Sequence, residues 1–140
     1  MKLRISAVSY LNAKPFVLGI EESGFLKDHE LQIDNPATCA DKLINDRVDI
    51  GLVPVGILLD MQEYHLLTDY CIGCDGKVGS VCVVSEVPLD QIERMYLDYQ
   101  SRTSVLLTKI LATESWGINP EWLQSDVGYE EHFEQDQIGA

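Results

Sequence analysis

Apolar and polar positions alternate along residues 3–9, with Leu3, Ile5 and Ala7 set against Arg4, Ser6 and Val8, and this period of two predicts a strand that is at least half buried. The alternation stops at Ser9-Tyr10-Leu11-Asn12-Ala13-Lys14-Pro15. Proline loses nothing in the first turn of a helix, so Pro15 predicts a helix start, with Phe16, Leu18 and Ile20 on the segment that follows. Gly24 and the polar run 27–30 end that segment before a short strand at residues 31–33. Thr38 and Asp41 have the spacing of a weak capping box, which predicts Thr38 as the N-cap of a helix carrying Ala40, Leu43 and Ile44 inward. Residues 48–53 then read as a strand, and Pro54 opens a helical stretch to Leu59.

The second half repeats the alternation of strand and helix. Residues 64–67 predict a short strand, residues 69–76 a glycine-containing loop, and residues 77–85 the strongest strand of the chain, rich in valine and bounded by turn signals. A helical turn at 89–93 leads to a strand at 95–97 and a helix over about residues 101–114, burying Leu106, Leu107, Ile110 and Leu111, leaving Thr108, Lys109 and Thr113 outside, and ending at Gly117. Strands alternating with helices at this spacing predict an α/β fold with a mostly parallel sheet. The expected division is a first α/β lobe over residues 1–85 and part of a second over residues 86–140.

Two strand-to-helix junctions carry polar groups suited to a ligand. Ser101-Arg102-Thr103-Ser104 gathers three hydroxyls and a guanidinium where a helix begins, and the N–H groups and partial positive charge of a helix start suit a carboxylate or phosphate. Ser and Thr are also ordinary N-caps, and an isolated stretch of this kind fits capping alone. The loop at 9–15 shifts the balance because it has the same design: Tyr10 offers a flat apolar face and Asn12 an amide that both donates and accepts. Gly79-Ser80 adds a bare backbone and a hydroxyl that could approach a ligand.

Charge narrows the partners. With 10 basic against 23 acidic residues the net charge is −13, which disfavours nucleic acid and anionic membrane surfaces and leaves a small-molecule ligand held by local donors. The first residues show no signal-peptide pattern and the longest apolar run, 50–59, is interrupted by Gly51, Pro54 and Gly56, so the expected setting is cytoplasmic, with no membrane association. Cys71-Ile72-Gly73-Cys74 has the spacing of half a zinc site or of a redox dithiol, but no second pair completes a metal site. Free buried cysteines in a reducing compartment account for these two and for Cys39 and Cys82. His29, His65 and His132 read as surface residues, and Glu130-Glu131 as part of a solvated acidic stretch. No metal or other cofactor is expected.

Taken together, Ser9-Tyr10-Leu11-Asn12-Ala13-Lys14-Pro15, Val48-Asp49-Ile50-Gly51-Leu52-Val53-Pro54-Val55, Gly79-Ser80-Val81 and Ser101-Arg102-Thr103-Ser104-Val105 give the chain a pattern that resembles the chorismate dehydratases of the futalosine route to menaquinone, from Met1 to about Pro120. The resemblance implies the two-lobed fold of type II periplasmic binding proteins, with chorismate in the cleft between the lobes. It implies Asn12 as the catalytic residue of the first lobe, Ser80 near the crossover, and Ser101, Thr103 and Ser104 lining the second lobe; the reading of the two junctions adds Tyr10 and Arg102 as further substrate contacts. The family's chain continues past residue 140 and its later Ile-Gly-Asp segment has no full counterpart in Gln137-Ile138-Gly139-Ala140, so an N-terminal portion is expected here. Two other readings compete: a non-catalytic module that binds a small anion, and the related dihydroxynaphthoate synthase. The latter depends by resemblance on a second-lobe histidine, for which only His132 is available.

Overall fold

A computed structural model describes residues 1–129 of the chain. They fall into two compact units, Met1–Asp75 and a second that begins at Gly76. Both are α/β, with small parallel sheets.

In the first unit, β1 (Arg4–Val8) is the middle strand of three, between β2 (Glu30–Asp34) and β3 (Ile50–Gly51), both parallel to it. A central parallel strand is covered on both faces, which explains why Ile5, Ser6, Ala7 and Val8 are all buried although the alternation only required half of them to be. The chain crosses from β1 to β2 through α1 (Lys14–Glu22) and from β2 to β3 through α2 (Pro36–Ile44). Strand order β2-β1-β3 reverses direction at β1, so right-handed crossovers place the two helices on opposite faces. Accordingly Ile5 and Ile50 share a cleft of about 440 Å³ with Pro15, Phe16, Ile20 and Phe25, while Val8 packs with Ala13 and Cys39 on the α2 side. β3 can run this close to α2 because position 51 is glycine: a Cβ there would meet Val53 Cγ1 at 2.9 Å and Leu43 Cδ2 at 3.2 Å.

The start of α2 corrects the sequence reading. Asn35, not Thr38, is the N-cap: its side-chain oxygen accepts from the Thr38 N–H at 2.8 Å, and Pro36 occupies the first turn. Thr38 is therefore the residue that is capped. Of the three residues expected inward on this helix, Ala40 is buried, Leu43 is half-buried and Ile44 is exposed, because the buried face runs through Ala37, Cys39 and Ala40. Replacing an Asn cap by Ala costs about 1 kcal/mol, so Asn35→Ala should lower the urea midpoint measurably. A Thr38→Ala variant that loses as much, with Asn35→Ala unchanged, would return the cap to Thr38.

An ion pair ties β1 to the loop before β3. Arg4 donates from Nε at 3.1 Å and Nη2 at 2.8 Å to the two carboxylate oxygens of Asp49, whose Oδ2 also accepts from the Arg4 N–H at 2.8 Å. These hydrogen bonds hold the Asp49 carboxyl down from the ordinary 3.8 to about 2. A carboxyl depressed in the folded state stabilises fully above its unfolded pKa and loses that contribution as pH falls through the folded value. The stability gap between the parent and Asp49→Asn should therefore be constant near neutrality, narrow below pH about 4 and close near pH about 2. A gap that does not change over that window would remove the ion pair from the stability of the fold.

In the second unit, β4 (Arg94–Leu97) pairs in parallel with β5 (Glu121–Gln124) across α3 (Thr103–Leu111), which continues into a π-turn, Ala112–Trp116, and stops at Gly117 in the left-handed region (φ 65°). Its core joins Ile92 and Met95 to Val83, Val87, Ile118 and Trp122. α3 is rotated relative to the face that its leucines suggest. Thr108 and Ala112 are buried, Leu107 and Ile110 are about half exposed, and Lys109 Nζ sits 5.8 Å over the Trp122 ring. The Thr108 hydroxyl is satisfied inside by donating to the Ser104 carbonyl at 2.8 Å.

Two expected strands do not form. Residues 64–67 and 77–83 carry no strand pairing, and Leu66, Leu67, Val78 and Val81 are exposed. Strand propensity needs a neighbour to supply its hydrogen bonds, and among the described residues the strands of each unit pair only with one another. Only the end of the valine run, at Val83, is packed against a core. Glu130-Glu131, His132 and the Gln137-Ile138-Gly139-Ala140 segment lie outside the described residues.

Candidate functional site

The carboxyl ends of parallel strands are where loops and helix starts converge, and in both units the polar junctions read from the sequence fall there. In the first unit β1 ends at Val8 and the chain turns through Ser9 and Tyr10 into a 3-10 turn, Leu11–Ala13, closed by the Ala13 N–H donating to the Tyr10 carbonyl at 3.0 Å. Ala13 is fully buried and anchors this turn in the core, while Tyr10 and Asn12 face outward on the same turn. The turn is fixed from below. Ser9 N–H donates to the Asp34 carbonyl at 2.8 Å, continuing the β1–β2 ladder to the last residue of β2.

Beneath that edge lies a polar cluster that periodicity could not reveal. The buried Ser6 hydroxyl donates to Asp34 Oδ2 at 3.0 Å and lies 3.1 Å from Cys39 Sγ, and Lys42 forms an ion pair with the same Asp34 carboxylate while donating to Gln32 at 2.7 Å. Burial pushes the Cys39 thiol up, so it stays protonated as a small apolar filler. The cluster joins β1, β2 and α2 immediately below the Tyr10–Asn12 turn. Its only signal in the sequence was Cys39, expected to be buried; Ser6 stood on the side of β1 set against Leu3, Ile5 and Ala7.

In the second unit the junction after β4 is a tight turn. The Asp98 side chain accepts from the Gln100 N–H at 3.0 Å, the Asp98 carbonyl accepts from the Ser101 N–H at 3.2 Å, and α3 follows with Arg102 as its N-cap residue. The Arg102 side chain makes no capping hydrogen bond, and the three hydroxyls gather beside it at the helix start. Ser101, Thr103 and Ser104 are half-buried and Arg102 is exposed. Ser125, just past β5, is 3% exposed and braces the turn, donating to the Leu97 carbonyl at 2.6 Å and accepting from the Tyr99 N–H at 3.2 Å. Sequence reasoning missed it because a lone Ser after a strand carries no periodic signal.

Ser80 lies in an exposed turn with Gly79, away from any regular element. Tyr10 and Asn12 thus belong to the first unit, and Ser80, Ser101, Arg102, Thr103 and Ser104 to the second. The apolar cleft between α1 and the sheet contains none of them. His65 is exposed as expected, but His29 is half-buried: its Nδ1 accepts from the Leu3 N–H at 3.1 Å and its ring lies 4.1 Å from that of Phe25, a structural role. Cys39 is buried, whereas Cys71, Cys74 and Cys82 are exposed, which corrects the expectation that all four are buried. Among the described residues no group of three or more His, Cys, Asp or Glu side chains is placed to hold a metal ion, and no helix is long and apolar enough to cross a membrane.

The family model described as menaquinone biosynthesis matches residues 3–137, taking in both strand-to-helix junctions, the Gly79-Ser80 turn and nearly the whole sequence, and the chain accordingly belongs to the menaquinone biosynthesis family.

Proposed function

We propose that this chain belongs to a chorismate dehydratase, with Asn12 and the Ser101–Ser104 cradle at its site, in a two-lobed fold of the periplasmic-binding-protein type. The reaction removes water from chorismate to give 3-[(1-carboxyvinyl)oxy]benzoate: a ring C–H and the ring C–O bond of the hydroxyl break, a ring double bond forms, and aromatisation drives the change. The oxidation level does not change, so the proposal calls for no redox cofactor. The observation that carries it is the pair of polar junctions at the carboxyl ends of parallel strands, in a member of a menaquinone biosynthesis family. Chorismate has two carboxylates. Hydroxyls and N–H groups at the start of α3 suit one of them, and Asn12, exposed on a braced turn, offers a carbonyl to the departing ring proton.

On this reading the task of the protein is orientation, since chorismate also rearranges and loses pyruvate by competing routes. The substrate is a small soluble anion, the acidic surface has no call on nucleic acid or membrane, and the setting is the cytoplasm. Incubating the purified protein with chorismate and following aromatic products by chromatography tests it. The expected result is the carboxyvinyloxy-benzoate. Chorismate bound without turnover would leave a small-anion binding module.

A further inference from the structure

We propose that Cys71 and Cys74 form a redox-active dithiol, which a low-molecular-weight disulfide converts reversibly to an intrachain disulfide. The inference follows from the correction above. Buried cysteines are inert, but both of these thiols are exposed, two residues apart, in a segment outside any helix or strand. A disulfide needs the two Cα atoms within about 7 Å, which a four-residue span reaches in a turn and not in an extended strand. At residues 71–74 no ladder or helix hydrogen bonds have to break to make that turn. The Cys71 sulfur already leans forward along the chain: it lies 3.6 Å from where a Cβ on residue 73 would stand.

Cys39 is excluded as a partner by its place in the fold, fully buried in the core of the first unit beside Ser6. Cys82 lies eight residues beyond Cys74, so a bond to it closes a longer loop than the Cys71–Cys74 pair does. In the oxidation, the thiolate of one cysteine attacks glutathione disulfide, forms a mixed disulfide and expels one glutathione thiolate. The second cysteine thiolate then attacks the protein-side sulfur and expels the second glutathione. Two electrons pass from the pair to glutathione disulfide, and the two thiol protons end on the two glutathiones released. The disulfide does not rest on the function proposed above.

The test is equilibration of the full chain in glutathione buffers of stepped disulfide-to-thiol ratio, followed by acid quench, alkylation and peptide mass spectrometry. As the buffer becomes oxidising, the peptide containing both cysteines should lose two hydrogen atoms and two alkylation sites, and dithiothreitol should restore them. Cys71→Ser and Cys74→Ser should each abolish this product and carry glutathione on the remaining thiol, while Cys82→Ser should leave it intact. Cys39 should resist alkylation until denaturant is added, which reports that each variant is folded. Free thiols at 71 and 74 in the most oxidising buffer, a bond to Cys82, or stable glutathione on both cysteines would overturn the proposal. Turnover of chorismate by the reduced and oxidised forms is measured separately, so its absence counts against the proposed function and leaves the mass result standing.

Discussion

Asn12→Ala should fold normally and lose chorismate turnover by roughly 10²–10³-fold, the range seen when one preorganised hydrogen-bonding side chain is removed from a reacting centre. Folding is spared because Asn12 is exposed, and the turn that carries it is held by backbone bonds and the buried Ala13. A side-chain amide is far too weak a base to act by ionising. On the function proposed above, its contribution is to accept or relay the ring proton, with a substrate carboxylate or a water as the final acceptor, and to hold the ring in place. Asn12→Asp separates these roles. An ordinary general-base requirement would be met better by a carboxylate, so activity would rise or survive. Positioning of a dianion would suffer from the added negative charge, and activity should fall with substrate affinity. Turnover of Asn12→Ala at a rate close to the parent's would reduce Asn12 to a loop residue.

The strands and helices that pattern reveals well are those whose partners are local to one unit. β1, β2, α1 and α2 were legible because a two-residue period, a proline in the first turn and a βαβ rhythm all report on the same small sheet. Residues 77–85 failed for the opposite reason. Valine content records willingness to pair, and the pairing partner is a tertiary fact that no local window contains. On α3 the leucines predicted one buried face, and Thr108 and Ala112 are the residues buried in their place. The two junctions with candidate chemistry were legible as polar interruptions between apolar runs. Their bracing by Asp34, Lys42 and Ser125 was not, because those residues act across the chain on neighbours far away in sequence.

Replacing Ser101 and Thr103 together by alanine should weaken carboxylate binding by about 1–3 kcal/mol, which is roughly 5- to 150-fold, when two hydrogen bonds to a charged group are lost. α3 follows Arg102, whose side chain makes no capping hydrogen bond, and the Thr108 hydroxyl bonds the Ser104 carbonyl. A capping effect would show instead as a lower urea midpoint with unchanged affinity. Ser125→Ala provides the contrast. It removes a buried hydroxyl that donates to the Leu97 carbonyl and accepts from the Tyr99 N–H, so it should both destabilise the second unit and weaken binding, by loosening the turn that presents Ser101. Calorimetric titration with chorismate beside urea unfolding distinguishes the cases. Affinity lost with stability kept, in the double variant alone, assigns the hydroxyls to the ligand; stability lost with affinity kept assigns them to the fold.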